Sequence, residues 1–243
     1  MSTKLAEKSA LVVGAGGLGG AALLVLASHG VGRLAILDDG AVEISDLNRQ
    51  PLFDEADVGG RRAAAAARRL ARLFPAVHVE PIDRRLDESS AVELARFADV
   101  FLDGSGDFSA KFLGNDAAVA AGKPFVHAGA LRYTAQLLTV LPGRTGCLRC
   151  LFEEPPPPGS VPTCAEAGVL GPLAGFAGAL MGAEAARILS GEPGAYAGRL
   201  LVYESRRARS RTVPVHVRES CPACQAARTR AARDEAATAQ ERR

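Results

Sequence analysis

Along the first half of the chain, short continuous apolar runs alternate with stretches of helical length. SALVVG, from Ser9, is an apolar run that ends in glycine. GLGGAALLVLASHG follows with the length of a helix, and Gly30 stands where a left-handed C-terminal cap is wanted. GRLAILD predicts a second strand, the Ala/Arg-rich segment from about Ala56 to Phe74 a helix, and AVHVEPI a third strand. ADVFLDG and KPFVHAG predict two more buried strands, with SAKFLGNDAAVAAG as the helix between them. Strands that alternate with helices imply a mostly parallel, Rossmann-like α/β sheet with right-handed crossovers and helices on both faces.

After Gly129 the pattern changes. YTAQLLTVLPG predicts an alternating strand, and the prolines of EEPPPPGSVP exclude helix or ladder there, leaving an irregular crossover loop. Pro172 to Leu189 predicts an apolar helix. GRLLVYES and RTVPVHV predict a closing antiparallel pair. Residues 1–224 are expected to form one domain, with 225–243 as a polar C-terminal tail.

Composition adds mostly exclusions. A chain of 243 residues with 48% hydrophobic content buries a full core. Its net charge of +2 is spread along the sequence, which argues against nucleic acid as a partner. The N-terminus lacks the apolar core of a signal peptide, and Glu184 and Arg187 interrupt the longest apolar stretch. These features predict a cytoplasmic protein that does not cross a membrane.

The candidate chemistry begins at Gly14, Gly16, Gly17 and Gly19. This G-x-G-x-x-G turn follows a strand and opens a helix, where missing side chains let backbone N–H groups approach phosphate. Asp38 ends the second strand, where a carboxylate can bind ribose hydroxyls. Asn48, Arg49 and Gln50 come next in ISDLNRQ. A ribose needs none of them, whereas a triphosphate needs cationic and amide donors, so the cluster favours ATP over NAD.

Five cysteines include two Cys-x-x-Cys pairs, Cys147 with Cys150 and Cys221 with Cys224. Two such pairs have the spacing of a tetrahedral structural Zn²⁺ site, since each pair clamps one edge of the ion. Cys164 is left over. None of the four histidines has a partner at local spacing, so His29 is read as a helix-end residue and His78, His127 and His216 as core or rim.

VVGAGGLG, LDDGAVEISDLNRQ, CLRC, PTCAEAGVLGPLAG and CPAC, in this order, resemble the ThiF/MoeB/HesA adenylyltransferases, bacterial relatives of ubiquitin-activating enzymes. The likeness runs from about Ser9 to Cys224. It implies an enzyme that uses ATP and Mg²⁺ to adenylate the C-terminal Gly-Gly carboxylate of a ubiquitin-like sulfur-carrier protein, releasing pyrophosphate before thiocarboxylate formation. By the same resemblance Asp38 holds the ribose, Asn48 and Arg49, with Gln50 beside them, surround the triphosphate, and the enzyme works as a homodimer. The Ala/Gly-rich helix Pro172 to Leu189 is the candidate dimer interface, its alternative being internal packing. Cys164 aligns with a cysteine that becomes covalently joined to the carrier in some members.

Three departures qualify what the resemblance implies. Arg62 stands where the family usually has Lys. In LDGSGDFSAKF, Gly106 takes the place of the usual catalytic and metal-binding acid, Asp107 that of an Asn, and Lys111 that of an Arg. Asp107 is therefore either a displaced replacement acid or the N-cap of the next helix. An N-terminal Arg motif that reaches the partner subunit has no counterpart ahead of Ala10. These departures raise a second reading: a non-catalytic member that binds nucleotide or carrier as a scaffold or heterodimer partner. An NAD-dependent oxidoreductase is the third.

Overall fold

The structure is a computed structural model that describes residues 5–157, 159–162, 164–227 and 229. Its strands are β1 (Ser9–Val13), β2 (Arg33–Leu37), β3 (His78–Ile82), β4 (Val100–Asp103), β5 (Phe125–Leu131), β6 (Thr134–Val140), β7 (Arg199–Glu204) and β8 (Arg209–Pro214). The helices are α1 (Gly17–Ser28), α2 (Arg62–Leu73), α3 (Ala91–Phe97), α4 (Phe108–Ala121), α5 (Leu148–Leu151), α6 (Cys164–Ala167) and α7 (Gly171–Leu189). The strands form one sheet in the order β3-β2-β1-β4-β5-β6-β7-β8. Strands β3 to β5 pair in parallel and β5 to β8 antiparallel. The predicted mixed α/β sheet is therefore present, including its closing antiparallel strands.

The burial follows from helices on both faces. Val100–Asp103 of β4 is buried throughout, as a parallel strand covered on both sides must be. Leu23 and Leu26 of α1, Ala66 and Leu70 of α2, and Met181 of α7 pack with Val12 and Ile36 on one face. Phe101, Phe125 and Leu11 meet Phe112 and Ala118 of α4, Ala95 of α3 and the cysteines on the other.

The order in which strands are added reverses between the parallel neighbours β1 and β4, since β2 and β3 lie to one side and β4 and β5 to the other. The crevice beyond the carboxyl ends of β1 and β4 is where such a sheet accepts ligands. Glycine lets the turns meet there: a Cβ on Gly19 would lie 1.8 Å from the carbonyl oxygen of Gly14, and one on Gly14 2.9 Å from Gly104.

Several expectations need correction. The helix expected from Ala56 begins only at Arg62, because Glu55–Asp57 is a 3₁₀ turn and Gly59 adopts φ +87°, which breaks the run. Helix α3 was not anticipated. Gly178 and Gly182 of α7 face α1 within the chain, where a Cβ would lie 2.1 Å from Leu18 O and 2.8 Å from Ala22 O respectively, whereas a Cβ on Gly175 would meet nothing within 4 Å. Gly178 and Gly182 allow internal helix packing, and so α7 does not offer those two glycines to a second copy. The expected tail beyond Gln225 lies mostly outside the described residues. Among the described residues, no helix is long and apolar enough to cross a membrane.

A nucleotide crevice and a four-cysteine centre

At the crevice, Gly14 has φ +87° and donates its N–H to Leu37 O at 2.8 Å, tying the glycine turn to the end of β2. Gly16 caps α1 without any side-chain hydrogen bond, and the first turn of α1 contains no acid. Its leading N–H groups therefore form an anion-binding end. A Cβ on Gly16 would meet nothing within 4 Å, so space remains beside the turn.

Asp38 is bound to this turn. One carboxylate oxygen accepts the Ala15 N–H at 2.7 Å and the other the Gly40 N–H at 2.8 Å. Each oxygen keeps a further lone pair. Beyond it, Ala41 bridges to Arg61, and Arg62 N donates to Gly40 O at 2.9 Å. This short ladder brings the start of α2 to the mouth of the crevice, where the Arg62 guanidinium lies over Gly40 beside Asp38.

The residue that organises the cations is Asp46, which sequence reasoning passed over. Its side chain is only 2% exposed. It accepts Arg49 Nη2 at 2.9 Å, Arg62 Nε at 3.0 Å and Nη2 at 2.8 Å, and the Glu43 N–H at 3.1 Å. Arg49 and Arg62 are thus gathered on one buried carboxylate, and the stem of Arg49 lies against Gly17. Asn48 is exposed beside them, its side-chain oxygen 3.3 Å from Arg49 Nη1.

Gln50 is placed differently from expectation. It is buried behind the turn, where its amide nitrogen donates to Ala15 O and Gly16 O and its oxygen accepts the Leu52 N–H at 2.8 Å. Those bonds occupy the amide, so Gln50 braces the glycine turn from behind and does not line the crevice.

On the β4 side, Asp107 caps α4 by accepting the Ser109 N–H at 3.1 Å, and its other oxygen pairs with Arg85. Of the two alternatives, the capping role is the one present. Gly106 has open space where a side chain would stand. Asp103, at the end of β4, is buried and meets three side chains: Lys111 Nζ at 3.1 Å, His127 Nδ1 at 2.7 Å and Ser105 Oγ at 2.6 Å. Burial pushes the Asp103 carboxyl up, but the Lys111 charge and the His127 hydrogen bond outweigh it and hold it well below the usual carboxylate range. Burial, with the Lys111 charge, pushes His127 down, which keeps the imidazole neutral. Its position opposite Asp103 in the β4–β5 ladder was not visible in local spacing.

The four cysteines converge beside the middle of α4, where Asn115 and Asp116 bond to Leu148 and Arg149. Their sulfurs lie within 4.8 Å of one another, with Cys147 to Cys150 at 3.9 Å, Cys147 to Cys221 at 3.7 Å and Cys150 to Cys224 at 3.5 Å. A tetrahedron with metal–sulfur bonds of about 2.3 Å has edges of about 3.8 Å, so the donor set fits a tetrahedral dication. The separations exceed any disulfide bond. The Cys147 thiol is pushed down to about 5, first by its contact with Cys224, while Cys224 is pushed up by the same contact and Cys221 by burial. Asn115 Oδ1 accepts the Leu148 N–H at 2.9 Å and the Arg218 N–H points to Cys150 Sγ at 3.4 Å, fixing the loops that carry the sulfurs. Cys164 opens α6, and its side chain lies outside the described ones.

This architecture has known relatives. A sulfur carrier protein adenylyltransferase of Thermus thermophilus is 43% identical over 226 residues, covering 91% of this chain and 83% of that protein. A SAMP-activating enzyme E1 of Haloferax volcanii is 41% identical over 221 residues, covering 91% and 82%. The fold is similar to that of E. coli MccB crystallised with ATP, with a TM-score of 0.81 at 22% identity, over 91% of this chain and 67% of that one. The ThiF family model matches residues 2–224, and the chain belongs to the ThiF family.

Proposed function

We propose that this chain is an ATP-dependent adenylyltransferase that activates the C-terminal Gly-Gly carboxylate of a ubiquitin-like sulfur carrier. The observation that carries this reading is the pair of guanidiniums, Arg49 and Arg62, held on Asp46 between the glycine turn and Asp38. A nucleoside with one or two bridging phosphates does not call for two cations there, whereas a triphosphate does. The named activities of the relatives from Thermus thermophilus and Haloferax volcanii point the same way.

In this reading Asp38 accepts the ribose hydroxyls, and Gly14, Gly16, Gly17 and Gly19 admit the phosphates to the N-terminal end of α1. Arg49 and Arg62, with Asn48 at the rim, neutralise the chain of phosphates. The carrier carboxylate attacks the α-phosphorus, the bond to the β-phosphate breaks, and pyrophosphate leaves. Both reactants are anions, so the protein's contribution is alignment and charge neutralisation. When bound, Mg²⁺ supplies further charge neutralisation on the phosphates. Asp107, partly exposed at the β4 side of the crevice, would hold it once released from Arg85. Cys147, Cys150, Cys221 and Cys224 would hold a structural Zn²⁺ that ties the segment after β8 to α5, completing one adenylation domain over residues 1–224. The homodimer uses a face other than Gly178 and Gly182 of α7, which are packed on α1.

The test is pyrophosphate release by the wild-type chain with small carriers ending in Gly-Gly from the same genome. Release that depends on carrier supports the proposal, and no release with any such carrier overturns it. Gly106 favours the second reading, a non-catalytic nucleotide-binding member. A Cβ at Gly106 would meet nothing within 4 Å, so the position admits a side chain, and under that reading Gly106→Asp gains pyrophosphate exchange that the wild type lacks.

A further inference from the structure

The crevice has a direction. Along the carboxyl rim of the sheet stand Asp38 after β2, the glycine turn after β1, Asp103 at the end of β4, and His127 opposite it in β5. With ribose at Asp38 and phosphate at the turn, an acyl group joined to the α-phosphate on the side away from the ribose points toward β4 and β5. Strand spacing puts β5 about 10 Å from β1, two strand steps away. The turn itself connects to the dyad, since Gly104, next to Asp103, is packed against Gly14. Strand β5 runs on past His127 to Leu131 as half of a hairpin with β6, so His127 stands at the foot of a wall closing this end of the crevice.

The chemistry of the dyad is defined by its partners. Lys111 Nζ donates to Asp103, to Ser105 O at 2.6 Å and to Ala128 O at 3.1 Å, which uses all three of its protons. The ion pair keeps Asp103 a carboxylate, so His127 Nδ1 must carry the proton in their 2.7 Å contact. Nε2 is left with its lone pair. Among the described residues no group bonds to Nε2, the side chain retains 8% exposure, and Nε2 is not an orphaned buried atom. The charged groups that face the ring are Asp103 from β4 and Lys111 from α4.

We propose that His127 is a general base for the step that follows adenylation, the attack of a thiol-class nucleophile on the acyl-adenylate. This rests on the adenylyltransferase reading. The R–SH proton passes to His127 Nε2 as the sulfur–carbon bond forms. The bond from the acyl carbon to the phosphate oxygen then breaks, AMP leaves, and Nε2 returns its proton to solvent. Asp103 orients the ring and stabilises the imidazolium, and Lys111 keeps Asp103 from taking the proton itself. Adenylation alone transfers no proton, and so this base has no task in the first step.

The experiment compares two rates in the same preparations, using the Gly-Gly carrier that supports pyrophosphate exchange with the wild type. One is that exchange; the other is transfer from the adenylate to dithiothreitol at pH 7, read as carrier thioester by mass spectrometry. For His127→Gln the loss in transfer is expected to exceed the loss in exchange by on the order of 100-fold. For His127→Ala, added imidazole is expected to restore part of the transfer. Equal losses in both rates, or full transfer without the imidazole ring, overturn the role of His127. Absence of wild-type exchange with every carrier instead overturns the adenylyltransferase reading, and this inference falls with it.

Discussion

Replacing Asp46 by Ala removes the buried carboxylate on which both crevice arginines are held. Its bonds number two from Arg62, one from Arg49 and one from a backbone N–H. A charge-assisted bond contributes about 1.5–3 kcal/mol, and the arginine side chains are 27% and 24% exposed, so water takes over part of their needs. Taking the low end for each arginine gives about 3 kcal/mol. For a domain of this size that lowers Tm by roughly 6–12 °C. The same change frees two long side chains, and the cost of ordering them again on phosphate is expected to weaken ATP binding by about tenfold, or about 1.4 kcal/mol. Scanning calorimetry and ATP titration of Asp46→Ala measure both. A Tm within 2 °C of wild type, taken as roughly the smallest resolvable effect, with unchanged ATP affinity refutes the clamp. A large drop in Tm with intact affinity would confine Asp46 to the fold.

Two further outcomes follow from the buried groups. Cys221→Ser is expected to reduce bound zinc from one per chain to well below that, measured by elemental analysis, and to lower stability by several kcal/mol; full zinc content in that variant removes the four-cysteine site. Stability is also expected to fall below about pH 6.5. Unfolded His127 takes up a proton there while the folded ring, held below its ordinary value of 6.5 by burial and Lys111, does not. Asp103 adds a second loss at lower pH, since its depressed folded value makes its contribution present above the ordinary carboxylate range and lost as pH falls through that lower value. Urea midpoints at pH 5 and pH 7.5 should differ more for wild type than for His127→Gln; equal differences contradict the assignment.

Much of the fold was legible because parallel strands covered on both faces must be short apolar runs, as LVV and VFL are, and because a glycine turn between strand and helix has few alternatives. The four cysteines were legible for a similar reason: paired spacing constrains the ligand geometry by itself. What local pattern could not give is the partner of a polar side chain. Asp46 drew no reading because its partner Arg62 lies sixteen positions on and arrives only through the Ala41 bridge to Arg61. Gln50 beside Arg49 suggested a shared ligand, but the turn at Ile44–Asp46 sends one side chain to the crevice and the other behind it. His127 gains meaning only from strand register, which puts it level with Asp103. The glycines of α7 suggest an interface, with internal packing as the alternative, until α1 is placed against Gly178 and Gly182.

Titration of the chain with ATP and with NAD, repeated on the Arg49→Ala and Arg62→Ala variants, most directly tests whether a triphosphate occupies this crevice. ATP should bind and each variant should weaken it by about tenfold or more, with NAD giving no saturable heat. Saturable NAD binding, or ATP affinity indifferent to both arginines, would contradict the account.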